Sequence, residues 1–329
     1  MLRRLSLAAA ASALAAHTAH RASCRSNPDG ITKLRHQDYS LADHNHGKAR
    51  VRVLRVRRES ATHIVQEYTV ATRLFSPIYS AVFTEEDNRA LVATDTQKNT
   101  VYIVAKRSSA TTPEGFGIDI CRHLLHEYPM LSAVEVDVNE TIWQRVMNDG
   151  VPHEHGFTKV TPEVNTARVR LTRDEKDQPV VVSGVKGLTV LKTTQSGFTE
   201  YLQDKYTLLP PTYERCMATE MAAEWRYLPG KAGTVDYSSV RAEVNKQLLN
   251  GYFGPSKGGV YSVSLQATIY DIGCLVLSAA PDISSISIST PNLHYLPFRS
   301  LEALGEKFED DVFIPTNEPS GSIQCKVAR

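Results

Sequence analysis

Two periodicities alternate along this chain, and together they predict a fold of mixed strands and helices. Between residues 134 and 138, valines alternate with acidic residues, which is typical of a strand with one buried face. Between residues 116 and 128, apolar residues recur at steps of four, which predicts a helix that Pro129 ends. The same two patterns cover most of the remaining sequence.

In the first half, the pattern predicts the order strand, strand, helix, helix, strand, strand. The first strand begins at His46, where valines are mixed with arginines that are expected to form a basic outer face. The apolar run at residues 91–93 is predicted to end a strand just before a helix. The other predicted elements are strands at 63–75, 134–138 and 157–160 and helices at 96–106 and 114–128.

The second half is predicted to repeat this plan. Its predicted strands are 168–172, 180–182, 188–191, 217–226 and 283–288, and its predicted helices are 240–248 and 268–280. A long loop is predicted through residues 204–215. Because the helices come in pairs, we expect two similar α+β units with antiparallel sheets and helices on one face. The predicted boundary between units 46–176 and 177–329 lies near Lys176.

Composition and charge exclude several classes of protein. The chain has 329 residues, of which 42% are hydrophobic and 22% charged, with a net charge of +1. This balance predicts one large or two small cores and argues against a general nucleic-acid binder. No apolar run approaches the roughly 18 residues that a membrane span needs. Five cysteines without a C-x-x-C motif suggest neither a disulfide framework nor a cysteine-rich zinc site.

Motifs for several common chemistries are also missing from the sequence. There is no G-x-G-x-x-G, no G-x-x-x-x-G-K-[ST] and no G-x-S-x-G, so nothing signals dinucleotide binding, P-loop nucleotide binding or a nucleophile elbow. His153 and His155 form a tight pair, and His123 and His126 a looser one. Zinc would need further ligands at matching positions, so we interpret these histidines as structural or exposed and predict no metal site.

The first 45 residues are predicted to be an extension that precedes the folded units. Residues 1–26 contain arginines, serines and an alanine-rich middle, with no acidic residue before Asp29. This composition is typical of a mitochondrial transit peptide. A bacterial export signal, or a tail without targeting function, are the alternatives. The polar segment 27–45 is interpreted as a linker.

The stretch around Thr94 is the first candidate for chemistry. Thr94, Asp95 and Thr96 precede apolar residues at helical spacing, so we expect them at the start of a helix. Backbone N–H groups at a helix start lack partners within the helix and can bind a small anion or the polar edge of a ring. An ordinary helix cap is the alternative interpretation.

A series of motifs in this sequence resembles the urate oxidase (uricase) family, from residue 46 to the C-terminus. The matching motifs are His46-Gly47-Lys48, Ala93-Thr94-Asp95-Thr96-Gln97-Lys98-Asn99-Thr100-Val101-Tyr102, Trp143-x-Arg145, Asp149-Gly150-x-Pro152-His153-x-His155-x-Phe157, Ser183-Gly184, Leu191-Lys192-Thr193-Thr194-x-Ser196-Gly197-Phe198, Asp204-x-Tyr206-Thr207-x-Leu209-Pro210, Glu214-Arg215, Gln266-Ala267-Thr268-x-Tyr270 and Pro291-Asn292-x-His294-Tyr295. They occur in the family's order and at nearly the family's spacing.

The resemblance implies two tandem tunnelling-fold units per chain and a homotetramer whose sheets close into a barrel, with active sites between subunits. It also implies oxidation of urate by O2 and water to 5-hydroxyisourate and hydrogen peroxide, the first step of urate degradation in purine catabolism. Neither a metal nor an organic cofactor takes part in the family's reaction. The implied partners are therefore urate, O2 and further copies of the chain, with no nucleic acid and no membrane.

The resemblance assigns the substrate-binding roles to residues whose chemistry suits urate. Arg215 matches the arginine that clamps the anion with paired donors, and Gln266 matches a glutamine whose amide can both donate and accept. Phe198 matches the aromatic residue that stacks on the purine. Leu265 and Asp95 match positions that offer backbone N–H groups.

The resemblance assigns proton transfer to Lys48, Thr94 and His294. A threonine hydroxyl is a poor base alone and needs a neighbour, such as a lysine, to take its proton. Histidine suits proton transfer near neutral pH. Asn292, together with Thr94, matches the position that holds O2 or the attacking water above the ring.

The sequence departs from the family pattern at several positions. His46 replaces a tyrosine, Leu208 a threonine, Glu214 an aspartate and Leu265 a valine, and Leu265 adds a methylene beside the pocket. No departure removes a required functional group, so we predict an active enzyme. The last three residues are Val-Ala-Arg rather than the peroxisomal Ser-Lys-Leu signal. The resemblance implies a peroxisomal location, whereas the missing signal and the N-terminal extension favour the mitochondrion as the alternative.

Two other functions remain open at this point. A catalytically silent purine-binding protein of the same fold would keep Arg215, Gln266 and Phe198 and lose the proton relay, yet Lys48, Thr94 and His294 are all present. A pterin enzyme of the same fold would hold its ligand through a metal or a carboxylate. Arginine with glutamine suits anionic urate better.

Overall fold

The computed structural model describes residues 40–175 and 177–329. The predicted targeting segment over residues 1–26, including Cys24, lies outside these described residues, as does most of the predicted linker. Asp43–Arg329 packs as one compact unit. The division into two repeated units near Lys176 therefore stays a prediction. No helix in the described part of the chain combines the length and apolar character needed to cross a membrane.

The described residues contain nine β-strands, five α-helices and two short 3₁₀ turns. The strands are β1 (His46–Arg57), β2 (Ile64–Phe75), β3 (Ala133–Asn148), β4 (Val151–Thr172), β5 (Val180–Lys192), β6 (Met217–Tyr227), β7 (Ile283–Pro297), β8 (Phe313–Thr316) and β9 (Ser322–Ala328). The helices are α1 (Ser80–Thr84), α2 (Thr94–Arg107), α3 (Pro113–Glu127), α4 (Tyr237–Phe253) and α5 (Leu265–Ala279), and the 3₁₀ turns are Pro77–Tyr79 and Arg299–Leu304.

All nine strands belong to one continuous antiparallel sheet. Strands β1 to β8 follow one another in chain order, and β9 pairs with β7 beside β8. The sheet is open, with β1 at one edge and β8 and β9 at the other. The prediction of an antiparallel α+β fold is confirmed.

The helices cover one face of this sheet because alternate strand residues are apolar. In β2, every second residue from Gln66 to Leu74 is buried. Helix α3 lies so close to the sheet that a Cβ at Gly117 would be 2.8 Å from Cγ2 of Val169. Each fully buried leucine or valine contributes about 1.5–3 kcal/mol to this packing.

A buried ion pair joins the two halves of the chain under the helix layer. The guanidinium of Arg241 on α4 donates to Oε1 of Glu114 on α3 and to the carbonyl of Gly184 on β5. The Ser183 hydroxyl donates to the same Glu114 oxygen at 2.6 Å. Glu114 is fully buried and Arg241 nearly so. Each charge therefore depends on the other for compensation.

Three local predictions were wrong. Residues 91–93 form no strand, and helix α2 begins at Thr94 after an N-cap, Ala93, whose side chain cannot accept a hydrogen bond. Residues 168–172 end the long strand β4 rather than opening the second half. Helix α5 begins at Leu265, three residues before its predicted start. Short apolar runs do not distinguish strand from loop, and helix boundaries depend on capping contacts.

Arg55 was wrongly placed on the outer face of β1. It is 8% exposed, and its guanidinium donates to the carbonyl oxygens of Ser108 and Ala110 just after helix α2. A long side chain on the inner face can thus replace an apolar residue because it satisfies carbonyls that the helix leaves unpaired.

We expect Arg241→Met to lower the free energy of unfolding by about 3–5 kcal/mol, because the buried Glu114 carboxylate loses its counter-charge. Urea titration at fixed protein concentration, followed by tryptophan fluorescence, measures this loss. The control is Lys186→Met, which removes a half-exposed pair with Glu224 and should cost less than about 1 kcal/mol. Equal losses in both variants would contradict a structural role for the buried pair.

Candidate active site

The first group of predicted site residues, Lys48, Thr94 and Asp95, lies where β1 meets the start of helix α2. Lys48 is half-buried on edge strand β1, immediately before a bulge at which Arg50 adopts a φ of 60°. A Cβ at the preceding Gly47 would overlap the carbonyl oxygen of Thr72. Glycine is therefore required for β1 to approach β2 so closely at this point.

A buried polar network connects Lys48 to the loop that precedes Thr94. The backbone N–H of Lys48 donates to Thr72 Oγ1 at 3.3 Å, and this hydroxyl donates to Gln97 Oε1 at 2.7 Å. The Gln97 amide in turn donates to the carbonyl of Val92 at 3.2 Å. Thr72 and Gln97 are almost completely buried. The network therefore fixes the start of α2 against β1 and β2.

His46, the residue that departs from the family pattern, joins this network. Its Nε2 lies 3.1 Å from the same Val92 carbonyl that accepts from Gln97. A carbonyl only accepts, so this contact requires the proton on Nε2. His46 thus adds a second donor to the loop immediately before Thr94.

Positive charges surround the Asp95 carboxylate at the first turn of α2. The side chains of Lys98 and Asn99 donate to it, and the charge of Lys48 also acts on it. The hydrogen bond from Lys98, followed by the Coulombic attraction of that lysine, lowers the pKa of Asp95. Asp95 therefore stays ionised, while its backbone N–H lies in the first turn, where the helix offers no acceptor.

In the second group, Phe198 and Arg215 are held together by the segment that follows β5. The N–H of Phe198 donates to the Thr212 carbonyl at 2.6 Å, and the Arg215 N–H donates to the Ser196 carbonyl at 2.9 Å. These bonds place the Arg215 guanidinium 5.5 Å from the centroid of the Phe198 ring. A Cβ at Gly197 would overlap the Tyr261 hydroxyl and crowd the Thr212 carbonyl, so glycine is required between Ser196 and Phe198.

Arg215 is a desolvated cation without a carboxylate partner among the described residues. Burial lowers the pKa of its guanidinium, and Nε makes only a long hydrogen bond of 3.4 Å to Ser196 Oγ. An arginine stays protonated under these conditions. The guanidinium can therefore bind an anion.

Leu265 and Gln266 form the first turn of helix α5 beside this pair. The N-cap residue Ser264 accepts a hydrogen bond from Ala267 N at 3.1 Å, which leaves the N–H groups of Leu265 and Gln266 without an acceptor in the helix. Leu265 is buried, whereas Gln266 is exposed. Because the helix begins three residues earlier than predicted, both residues lie at its electropositive N-terminal end.

Asn292 and His294 lie on β7 at the same end of the sheet. Thr219 of β6 pairs with Asn292, and Thr316 of β8 pairs with His294. The Asn292 N–H donates to the Gly321 carbonyl at 2.9 Å. Arg215 lies two residues before the start of β6, so the strand register brings Asn292 and His294 to the neighbourhood of Arg215.

The structure does not bring the first and second groups together within one chain. Six strand spacings separate β1 from β7, which is about 29 Å along the sheet at roughly 4.8 Å per spacing. In the described ranges 40–175 and 177–329, no hydrogen bond, ion pair or ring contact joins the two groups. Lys48 and Thr94 are therefore separated from His294, the third residue assigned to the proton relay.

Several residues that organise the two groups were not predicted from the sequence. They are Thr72, Gln97, Lys192, Ser196 and Ser262. Gln97, Lys192 and Ser196 fall inside the resemblance motifs, but the sequence offers no signal that their side chains are buried and bonded. Thr72 lies in a strand where alternation alone predicts an apolar inward residue.

The histidine pairs show no ligand set for a metal. Among the described residues, no group of three or more His, Cys, Asp or Glu side chains is placed to hold a metal ion. The rings of His153 and His155 instead pack edge to face at 4.7 Å, near His63. Four cysteines in the described residues are free thiols, of which Cys121 is buried.

Comparison with known proteins identifies the family. A family model described as Uricase matches residues 44–170 and 181–324. The chain is 43% identical to Uricase-2 isozyme 2 of Glycine max over 298 residues, which cover 87% of this chain and 94% of that protein. It is 34% identical to the Uricase of Oryctolagus cuniculus over 299 residues, 91% of this chain and 97% of that protein.

A solved uricase also has this fold. The crystal structure of the uricase from Arthrobacter globiformis aligns with a TM-score of 0.80 at 33% identity, covering 88% of this chain and 95% of that chain. The match confirms the tunnelling-fold class. A family model that spans most of the sequence, together with relatives of similar length, shows that this chain belongs to the uricase family.

Proposed function

We propose that this chain oxidises urate without a metal or organic cofactor, and that the two groups of residues described above form its active site. Membership of the uricase family makes the chain a urate oxidase and hence an oxidoreductase. The reaction converts urate, O2 and water into 5-hydroxyisourate and hydrogen peroxide. The silent purine-binding alternative is not favoured, because relatives named as uricases match along most of the chain.

The observation that carries the site assignment is the desolvated Arg215 guanidinium beside the Phe198 ring. An anionic planar purine can stack on the phenyl ring while two guanidinium N–H groups donate to its oxygens. Tyr201 stacks on Phe198 at 4.8 Å and 11° between ring planes, which supports the orientation of the ring. We assign the opposite edge of urate to the Gln266 amide and to the backbone N–H groups of Leu265 and Asp95.

We assign proton transfer to Lys48, Thr94 and His294. The Thr94 hydroxyl takes a proton from urate only if a neighbour accepts its own, and Lys48 lies on the strand beside it. His294 then returns protons to the reduced oxygen. Further ionisation makes urate a better electron donor to O2, which Asn292 and Thr94 hold above the ring. Fixed charges and dipoles thereby stabilise the developing charge.

We propose that a second copy of the chain completes each site, within a homotetramer. The two groups lie at opposite edges of an open sheet, so a partner that extends the sheet into a barrel brings one chain's first group to the other chain's second group. The loop after Phe198 supports such docking. Its Leu202 and Leu208 are 91% and 93% exposed, and its turn is fixed by hydrogen bonds to Asp204.

We further propose that each chain contains two tunnelling-fold units, 46–176 and 177–329, and that the protein is peroxisomal. The location rests on the family resemblance. The mitochondrial alternative rested on the composition of residues 1–26, and nothing else supports it.

Purified, chelator-treated protein in aerated buffer should consume urate and release an equal amount of hydrogen peroxide. The loss of ultraviolet urate absorbance and a parallel peroxide assay measure the two amounts. Urate that binds without being consumed would contradict the proposed activity and would direct attention to His46 and Leu265. Activity that appears only after a metal is added would contradict cofactor independence.

Lys48→Met and Thr94→Ala should each lower turnover by about 100-fold or more, because the relay loses a proton carrier. Urate affinity measured without O2 should change far less. Arg215→Ala should instead weaken urate affinity more than it lowers turnover. Lys106→Met, at the exposed end of α2, serves as the lysine control. Near-normal turnover in either relay variant would refute the assignment of that residue.

Mixing two inactive variants tests whether the site lies between subunits. Lys48→Met and Arg215→Ala proteins, dissociated and reassociated together, should regain activity, because about a quarter of the sites then combine intact residues from two chains. Each variant reassociated with itself is the control and should stay inactive. No recovery in mixtures of confirmed mixed composition would place both groups of a site in the same chain.

A further inference from the structure

Lys192 is a buried cation that the proposed mechanism does not use. It ends strand β5, is 8% exposed, and pairs across the sheet with Met217, two residues after Arg215. Its Nζ donates to the Ser262 hydroxyl at 2.7 Å and to the Val260 carbonyl at 2.9 Å. The ammonium also lies 5.7 Å from the centroid of the Tyr252 ring.

This ammonium has no ion pair within the described residues. The carboxylate whose charge acts on it is that of Glu214, which is exposed and makes no hydrogen bond to it. Burial lowers the pKa of Lys192. The nearly buried Arg241, in contrast, is neutralised by Glu114. An uncompensated buried charge is costly, and such groups are concentrated at functional sites.

The contacts of Lys192 join the structural pieces of the second group. Ser262 accepts from Gly197 N through its carbonyl and donates from its own N–H to the Gln195 carbonyl, each at 2.9 Å. The Thr268 hydroxyl lies 2.8 Å from Ser262 Oγ and 2.9 Å from the Ser264 carbonyl, so the same network reaches the start of helix α5. The segment that carries Phe198 and the helix that carries Gln266 thus meet at the ammonium.

We propose that Lys192 is a positioning residue of the second group whose unpaired positive charge also favours binding of an anionic purine. The ammonium fixes segment 260–262 between the segment that carries Phe198 and helix α5. Together with the half-buried Arg215, the buried Lys192 gives this end of the sheet two cations that have no ion pair among the described residues. An anionic ligand supplies the missing counter-charge. This inference rests on the proposed function of the second group.

Substitutions that separate charge from hydrogen bonding test this role. Lys192→Gln keeps an N–H donor toward Ser262 but removes the charge, and Ser262→Ala keeps the charge but removes one contact. We expect Lys192→Gln to weaken anaerobic urate binding about tenfold by calorimetry, with kcat changed much less than KM. Ser262→Ala should weaken binding only slightly, and Lys192→Arg should stay close to the unmodified protein.

The control is Arg55→Gln in the first half. Arg55 is equally buried, is held by two backbone carbonyls and also lacks an ion pair among the described residues, but it lies on β1, far from the second group. Its substitution should lower the melting temperature without changing urate affinity. A loss of affinity in this control as large as in Lys192→Gln would show a general effect of destabilisation and would overturn the inference.

The other outcomes are equally decisive. Unchanged urate affinity in a folded Lys192→Gln protein would refute a role for the charge. If Lys192→Gln does not fold, Lys192→Met decides, with Ser262→Ala showing the effect of the lost contact alone: a loss of affinity no larger than in Ser262→Ala would refute a role for the charge, and a clearly larger loss would support it. Failure of the unmodified protein to bind and consume urate would instead refute the proposed function itself.

Discussion

The register of one antiparallel sheet constrains every other feature of this protein. Strands β1 to β7 pair in chain order, so the two groups of candidate site residues lie toward opposite edges of the sheet. The same register gives each strand one apolar face, and helices α2 to α5 cover that face. Interstrand hydrogen bonds fix the spacing and register of the strands, and the buried side chains fix the sheet against the helices. Neither group of candidate site residues can therefore move toward the other within one chain.

The charged side chains that join the two halves of the chain are paired, whereas those of the candidate site are not. Between the halves, Arg241 and Glu114 neutralise each other, and Ser183 satisfies part of the carboxylate. Where β5 ends and β6 begins, Lys192 and Arg215 remain without carboxylate partners among the described residues. Stability alone would favour pairing or replacing these cations. The proposed binding of an anionic purine accounts for two cations without partners at this place.

The first group is organised by neutral hydrogen bonds instead. Thr72 and Gln97 join β1, β2 and helix α2, and His46 adds a donor to the Val92 carbonyl in the same network. The histidine that replaces the family's tyrosine therefore contributes a hydrogen bond to this network. Thr94 starts its helix without a side-chain cap, so the N–H groups of the first turn stay free for a ligand. The network holds this open helix end in position.

The sequence by itself determined the strand and helix types, the antiparallel class and the family, and it supplied the candidates for the site residues. The alternation of apolar and polar residues in strands, and the four-residue spacing of apolar residues in helices, predict which side of an element is buried. The motifs indicate which functional groups are present. Only the tertiary structure decided that Arg55 turns inward, that Leu265 and Gln266 start a helix, and that Lys192 is buried without a counter-charge. These features depend on contacts between segments far apart in the chain. Local pattern therefore predicts the elements, whereas capping, burial of charge and the separation of Lys48 from Arg215 follow from how the elements pack.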